Sequence, residues 1–358
     1  MMCPILFAGV FALTALGAQE SNPLLILNPP GNQEPISTVD QWEQKQSAIR
    51  AILDDFLGPF PDKICALDAK VEGEEDMGTY RRIRVTYNTL PTERVPAYLL
   101  IPKGIQGAAP SVVVLHQTVP EGKGEVVGLT GNESMSIGLH LVERGYVVLA
   151  PDGITAGERI GKGLEAFDTS EIYKKYPHWN ALGIMVWESM RAVDYLCTRP
   201  ECDRERIGVI GHSHGGYGSV YLAAYDPRIR CAVSSCGVLP IRDDPVPFRW
   251  AREEWFVFVP RLRPFFKDGK IPFDFDEVIS LIAPRPFLNC SAYNDDIFPN
   301  SQSVVPCMER VREVYEKIYG AGNCVDNIMH NSGHGFPDPV RIRAYEWMDL
   351  HLKGDARK

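Results

Sequence analysis

Little in this chain offers a handle to nucleic acid, to a lipid surface or to a structural metal. Cations are in deficit. Its 37 Lys and Arg against 46 Asp and Glu leave a net charge of −9, so the chain lacks the positive field that draws polyanions. No block of like charge forms a tail. None of the nine cysteines stands in C-x-x-C spacing, the common frame of a structural zinc site, and no metal is expected. No internal repeat and no low-complexity linker divides the 358 residues, so one domain is the simpler expectation.

The opening stretch, Met1 to Ala18, lacks any charge, is mostly apolar, and is short for a membrane-spanning helix. It ends in Ala15-Leu16-Gly17-Ala18, a small-residue site of the kind that follows the apolar core of an export signal. The usual Lys or Arg near Met1 is missing. A cleaved signal over 1–18 and a secreted or periplasmic mature chain, with no membrane contact after cleavage, are the expectation; an uncleaved anchor is the alternative. Removing Cys3 with the signal leaves eight cysteines, an even number that admits disulfides in an exported protein. Cys197 and Cys202 flank a turn-rich loop, and Cys290 and Cys324 fall near two late strands. Cys231 and Cys236 lie beside one apolar strand and are placed less naturally for pairing. Buried free thiols are the competing reading.

The remainder alternates strand and helix signals. Residues 19–79 read as an N-terminal arm and a helix, Val39 to Leu57, with Trp42, Ile49, Ile52, Leu53 and Phe56 near helical spacing. Pro59 and Pro61 end it. From Tyr80 to Thr89 apolar and polar residues alternate, and Val95 to Pro102 forms a second strand of a hairpin. The unbroken apolar runs Ser111 to His116 and Tyr146 to Ala150 suit strands covered on both faces of a parallel sheet. Further strands are expected at Ile229 to Ser235, Pro286 to Ala292 and Val325 to His330. Helices are expected near 136–144, 181–196, 306–319 and 340–352. This order implies an α/β fold, a mainly parallel central sheet with helices on both faces, over residues 80–358. The stretch 237–275 holds Trp250, Trp255, Phe256, Phe258, Phe265 and Phe266 among several Arg and Pro. It reads as a lid or as a packed excursion.

Chemistry is concentrated at Ile207-Gly208-Val209-Ile210-Gly211-His212-Ser213-His214-Gly215-Gly216. A β-branched run meets Gly-x-Ser-x-Gly and then a helix-capable segment. That is the pattern of a sharp strand-to-helix turn which lifts a serine above the sheet and leaves no room for Cβ atoms two residues to either side. Serine is a weak nucleophile unless a neighbouring base takes its proton. His334, between Gly333 and Gly335 just past the last expected strand, is the candidate base, and His330 competes for that role. Asp295, after the preceding strand, is the candidate acid, with Asp296 as alternative. The order Ser213, Asp295, His334 is Ser…Asp…His. Oxyanion donors are expected from the N–H of His214 and from Gln117 or Thr118. His116 and His212 are expected to bond locally beneath the turn. His116, Arg159, Glu188 and Tyr217 are further substrate-site candidates. Asp152 and Glu158 are placed near the mouth.

These residues resemble the α/β-hydrolase superfamily, and within it the dienelactone hydrolase and acetyl xylan esterase-like branch. The resemblance covers residues 80–353. It rests on Val114-Leu115-His116-Gln117-Thr118, Gly145-Tyr146 to Pro151-Asp152, Asp203 to Gly216, Ala283-Pro284-Arg285-Pro286, Asp295 to Pro299, and Gly333-His334-Gly335-Phe336. It implies a serine hydrolase of carboxylic esters working through an acyl-enzyme, without metal or organic cofactor. Three departures stand out. His116-Gln117 replaces the usual His-Gly, Ser213 stands where dienelactone hydrolases proper use Cys, and His214 stands where glucuronoyl esterases carry Arg. The expected activity is therefore a secreted serine esterase of acetyl xylan type, acting on a small-molecule or polysaccharide ester. A glucuronoyl-type esterase or a serine peptidase of the same fold is the alternative. The roughly 60 residues between the expected signal and the first expected strand are too few for the propeller such peptidases usually add. A non-catalytic binding protein of this fold would be expected to lack a triad member, and none is missing.

Overall fold

The structure, a computed structural model, describes residues 22–27 and 33–354. The expected signal, 1–18, lies outside the described residues. Two short strands, β1 (Ile26–Leu27) and β2 (Glu34–Pro35), pair in the N-terminal arm. Helix α1 occupies Val39–Leu57, the bounds expected from its pattern. Thr38 opens it with a reciprocal bond to Gln41, which satisfies two N-terminal donors at once. Trp42, Ile49, Leu53 and Phe56 are buried, whereas Ile52 faces solvent.

A nine-stranded sheet follows. Its first members are β3 (Lys70–Asp76), β4 (Tyr80–Leu90), β5 (Glu93–Pro102) and β6 (Ala109–Leu115). Then come α2 (Lys123–Val126), α3 (Ile137–Glu143), β7 (Val147–Pro151), α4 (Ser170–Lys175) and α5 (Ala181–Thr198). The second half holds β8 (Cys202–His212), α6 (His214–Tyr225), β9 (Ile229–Ser235), α7 (Phe275–Ser280), β10 (Phe287–Ala292), α8 (Val304–Tyr319), β11 (Val325–His330) and α9 (Asp338–Leu352). Strand order across the sheet is β11-β10-β9-β8-β6-β7-β5-β4-β3. From β11 to β7 all neighbours are parallel, while β5, β4 and β3 add antiparallel pairings at one edge.

The apolar runs explain the layering. In β6, Val113 faces the core shared with α1, α5, α6 and α8, while Val112 and Val114 face the core shared with α3 and α9. All three valines are fully buried, and each such side chain contributes about 1.5–3 kcal/mol. A strand polar on either face could not occupy this position.

Strand β3 was not expected. Its sequence, KVEGEED, is exposed throughout and shows no alternation. It is held by its register on β4 and by ion pairs, Arg81 to Glu74 at 2.7 Å and Arg82 to Glu75 at 2.8 Å. A charged outer strand also blunts the sheet edge against pairing with another chain.

Of the two readings of the cysteines, the structure has the free thiols. All eight cysteines among the described residues are free. Register shows why for one pair: Cys290 lies opposite Ile328, so Cys324, in the turn just before β11, sits four residues back along the chain. That offset is about 13 Å at 3.3 Å per residue, beyond the reach of a disulfide. Cys231, Cys236, Cys290 and Cys307 are buried as free thiols. Among the described residues no helix is long and apolar enough to cross a membrane.

Candidate active site

The turn between β8 and α6 is built by exclusion. A Cβ on Gly211 would lie 2.3 Å from the Gly215 carbonyl oxygen, and one on Gly215 would lie 2.0 Å from that of Leu115. Ser213 sits between them at φ 54, ψ −116, a conformation that costs a non-glycine residue about 1–3 kcal/mol. The backbone there is held by the Ser213 N–H donating to the Ser235 carbonyl at 2.7 Å. This strain lifts the hydroxyl above the carboxyl edge of the sheet, at the N-terminus of α6.

The loops after β10 and β11 bring the other two candidates to it. His334 Nε2 lies 2.8 Å from Ser213 Oγ. His334 Nδ1 lies 2.9 and 2.8 Å from the two oxygens of Asp295. With Asp295 as acceptor, Nδ1 carries the ring proton and Nε2 is left to accept from the serine. Burial pushes the Asp295 carboxyl up, but the bonds from His334 and from the N–H groups of Phe298 and Ile297 outweigh it and hold it below the ordinary range. Asp296 is exposed to solvent. His330 belongs to β11, and neither of its ring nitrogens has a hydrogen-bond partner among the described residues. Cys236 lies against the Asp295–His334 pair, a neighbour its sequence context did not single out.

His214, Gln117 and Thr118 share a cleft wall with Ser213. Among the described residues none of their backbone N–H groups has an internal acceptor. The His214 imidazole is turned inward: it is buried, with Nε2 3.4 Å from Met185 Sδ, and burial drives its pKa well below the usual histidine value. His116 is also buried, beneath the turn. Its Nε2 accepts from the Gly153 N–H at 2.9 Å, which leaves Nδ1–H to donate to the Gln117 carbonyl at 2.6 Å. His212 pairs with Ser235 Oγ at 2.9 Å, and burial followed by the nearness of His334 lowers its pKa to about 3. Both of these histidines therefore brace the backbone around the turn as neutral rings.

The loop after β6 is pinned from two sides. Gln117 Nε2 donates to both oxygens of buried Glu125 at 3.0 Å. Lys123 Nζ, also buried, lies 2.6 Å from Asp152 and 2.6 Å from Glu158, tying this loop to the one after β7. Asp152, buried, and Glu158, exposed, thus anchor the loop, and neither lines the cleft.

The cleft is open to solvent and is lined by Ser213, His334, Tyr217, Phe298 and the segment from Arg249 to Phe258. That segment places Trp250, Phe256 and Phe258 inward as a packed wall and leaves Trp255 40% exposed. The stretch 237–275 is therefore both an aromatic excursion and one side of the cleft. Arg159 and Glu188 are not part of it. They form a two-bonded pair with each other, at 2.5 and 2.7 Å, and line cavities on the far side of His116. Their charges are spent internally.

A nine-stranded, mainly parallel sheet with a strained serine turn at the end of a central strand defines an α/β-hydrolase. Residues 95–246 match the dienelactone hydrolase family. The chain is 31% identical over 266 residues to the putative hydrolase YtaP of Bacillus subtilis (strain 168), covering 73% of this chain and 84% of that protein. It belongs to the dienelactone hydrolase family and is a hydrolase. Among solved structures, a glucuronoyl esterase from Solibacter usitatus superposes with a TM-score of 0.74 over 93% of this chain and 98% of that one, at 17% identity. A putative acetyl xylan esterase from Bacteroides fragilis NCTC 9343 superposes at 0.64 over 84% and 77%, at 19% identity. At these identities the likeness is one of fold.

Proposed function

We propose that the chain is an exported serine esterase that removes acyl groups from carbohydrate esters. Its triad is Ser213, His334 and Asp295, and its oxyanion donors are the N–H groups of His214 and of Gln117 or Thr118. One observation carries the reading: a single imidazole reaches the Ser213 hydroxyl with one nitrogen and both Asp295 oxygens with the other. In the first half-reaction His334 Nε2 takes the serine proton as Oγ attacks the ester carbonyl, and the backbone N–H groups receive the charge that develops on the carbonyl oxygen. The proton then passes to the departing alkoxide and the alcohol leaves, so Ser213 holds the acyl group. Water, deprotonated by His334, releases the acid and regenerates the serine. Asp295 fixes the tautomer and stabilises the imidazolium throughout.

A carbohydrate substrate is supported by the names of the two structural neighbours and by an open cleft with an exposed tryptophan. Export is supported by the apolar opening of the chain. Acetylated xylan, a glucuronate methyl ester and a feruloyl ester, assayed side by side on the purified mature protein, decide the acyl group. Asp295→Asn should lower kcat by about 10³–10⁴-fold on whichever ester is cleaved, with KM little changed, because the imidazole then loses the partner that sets its tautomer. A loss below tenfold would remove Asp295 from the triad and return the assignment to another carboxylate.

A further inference from the structure

Behind the reactive serine lies a closed-off cavity of about 40 Å³, room for about three water-sized groups. Leu115, Leu182, Met185, Val186 and Gly218 give it a mostly apolar lining. Its two acids, Asp152 and Glu188, are already paired with Lys123 and Arg159. Among the described residues only His214 lines both this cavity and the cleft that holds Ser213. The imidazole of the residue next to the nucleophile is therefore the partition between the two spaces.

The partition is held by packing more than by polar bonds. The ring centres of Phe256, Tyr217, Phe167 and Phe258 lie 5.2, 5.3, 5.7 and 5.9 Å from that of His214. Nε2 meets the Met185 sulfur, a weak acceptor, at 3.4 Å. On the far side a glycine keeps the hollow open. A Cβ built on Gly218 would meet one atom within 4 Å, Leu115 Cδ1 at 3.1 Å. An apolar hollow left unfilled costs stability, and this one is separated from the reacting group by a single side chain.

We propose that the His214 imidazole is the end wall of the acyl subsite, so that it limits the enzyme to acyl groups of a few carbons and shuts off an apolar cavity that would otherwise take a longer chain. The proposal rests on the reading of Ser213 as an esterase nucleophile and names the acyl class for that site. In the acyl-enzyme the acyl group stays bonded to Ser213 Oγ while the alcohol departs through the open cleft, so the acyl chain is the part that lies against residue 214. The side chain acts here independently of the backbone N–H of the same residue, which any substitution at 214 other than proline leaves in place. Each methylene that gains apolar cover is worth about fourfold in kcat/KM, so access to two or three more is readable.

The test compares 4-nitrophenyl acetate, butanoate, hexanoate and octanoate on the whole protein. For the unaltered enzyme kcat/KM should fall by about tenfold or more from butanoate to hexanoate. His214→Ala should raise the hexanoate-to-acetate ratio by about tenfold or more, whereas His214→Phe, which keeps the wall filled, should hold the ratio near its original value. Gly218→Leu added to His214→Ala fills the cavity from α6 and should take the gain back. A flat profile in the unaltered enzyme would overturn the proposal whether or not the variants fold. So would equal loss on all four esters in His214→Ala, which would assign the ring to folding or to the oxyanion, and so would a gain that Gly218→Leu leaves intact or that His214→Phe reproduces. Failure of the unaltered enzyme to cleave any of the four esters would instead sink the esterase reading of Ser213.

Discussion

Ser213→Ala should abolish ester cleavage, lowering kcat by about 10⁵–10⁶-fold while the protein remains folded. The expectation follows from the geometry of the turn. The hydroxyl is the only group of that side chain beyond Cβ, and its removal leaves the strained backbone, the His334–Asp295 pair and the cleft walls in place. What survives is rate enhancement from the backbone donors alone. Adding His334→Ala to this variant should cost little more, because the two groups act in one proton transfer. Stability separates the roles further. Ser213→Gly should be equally inactive but should melt higher, because glycine adopts a positive φ without the penalty paid by serine. Steady-state hydrolysis of a 4-nitrophenyl ester and a thermal melt of the three variants check both. Substantial turnover by Ser213→Ala would end the case for an acyl-enzyme at this position.

Gly215→Ala should be the most destabilising small substitution near the site, by about 3 kcal/mol or more. The added carbon would stand 2.0 Å from the Leu115 carbonyl oxygen and 2.6 Å from its carbon. Neither neighbour can swing aside, since Leu115 closes a central strand whose register on β8 places it opposite Gly211. Relief would require α6 to move off the sheet, which would carry the Ser213 hydroxyl away from His334. Loss of stability and loss of activity are therefore expected together, in contrast to Ser213→Ala. Urea unfolding followed by far-UV circular dichroism measures the first. A Gly215→Ala protein as stable as the original would mean that α6 does not pack as closely as these distances require.

Much of the architecture was legible before any coordinates, for local reasons. The uninterrupted valines of β6 and β7 have to be covered on both faces, which calls for helices on either side of a parallel sheet. The helical spacing of Trp42, Ile49, Leu53 and Phe56 marked α1 to the residue. The edge strand β3 was not legible, because its pairing depends on the partner strand and two cross-strand ion pairs rather than on any pattern of its own.

For the site, the sequence by itself determined the strained serine turn, since only glycine fits at 211 and 215, and the order in which an acid and a histidine follow it. Tertiary structure decided the rest. It placed Asp295 rather than Asp296 on the imidazole, turned Arg159 and Glu188 toward each other, and left the described cysteines as free thiols. The division has one physical cause. Backbone sterics and apolar periodicity act between near neighbours in the chain, whereas the partner of a charged or titratable side chain is chosen by groups tens to hundreds of residues away.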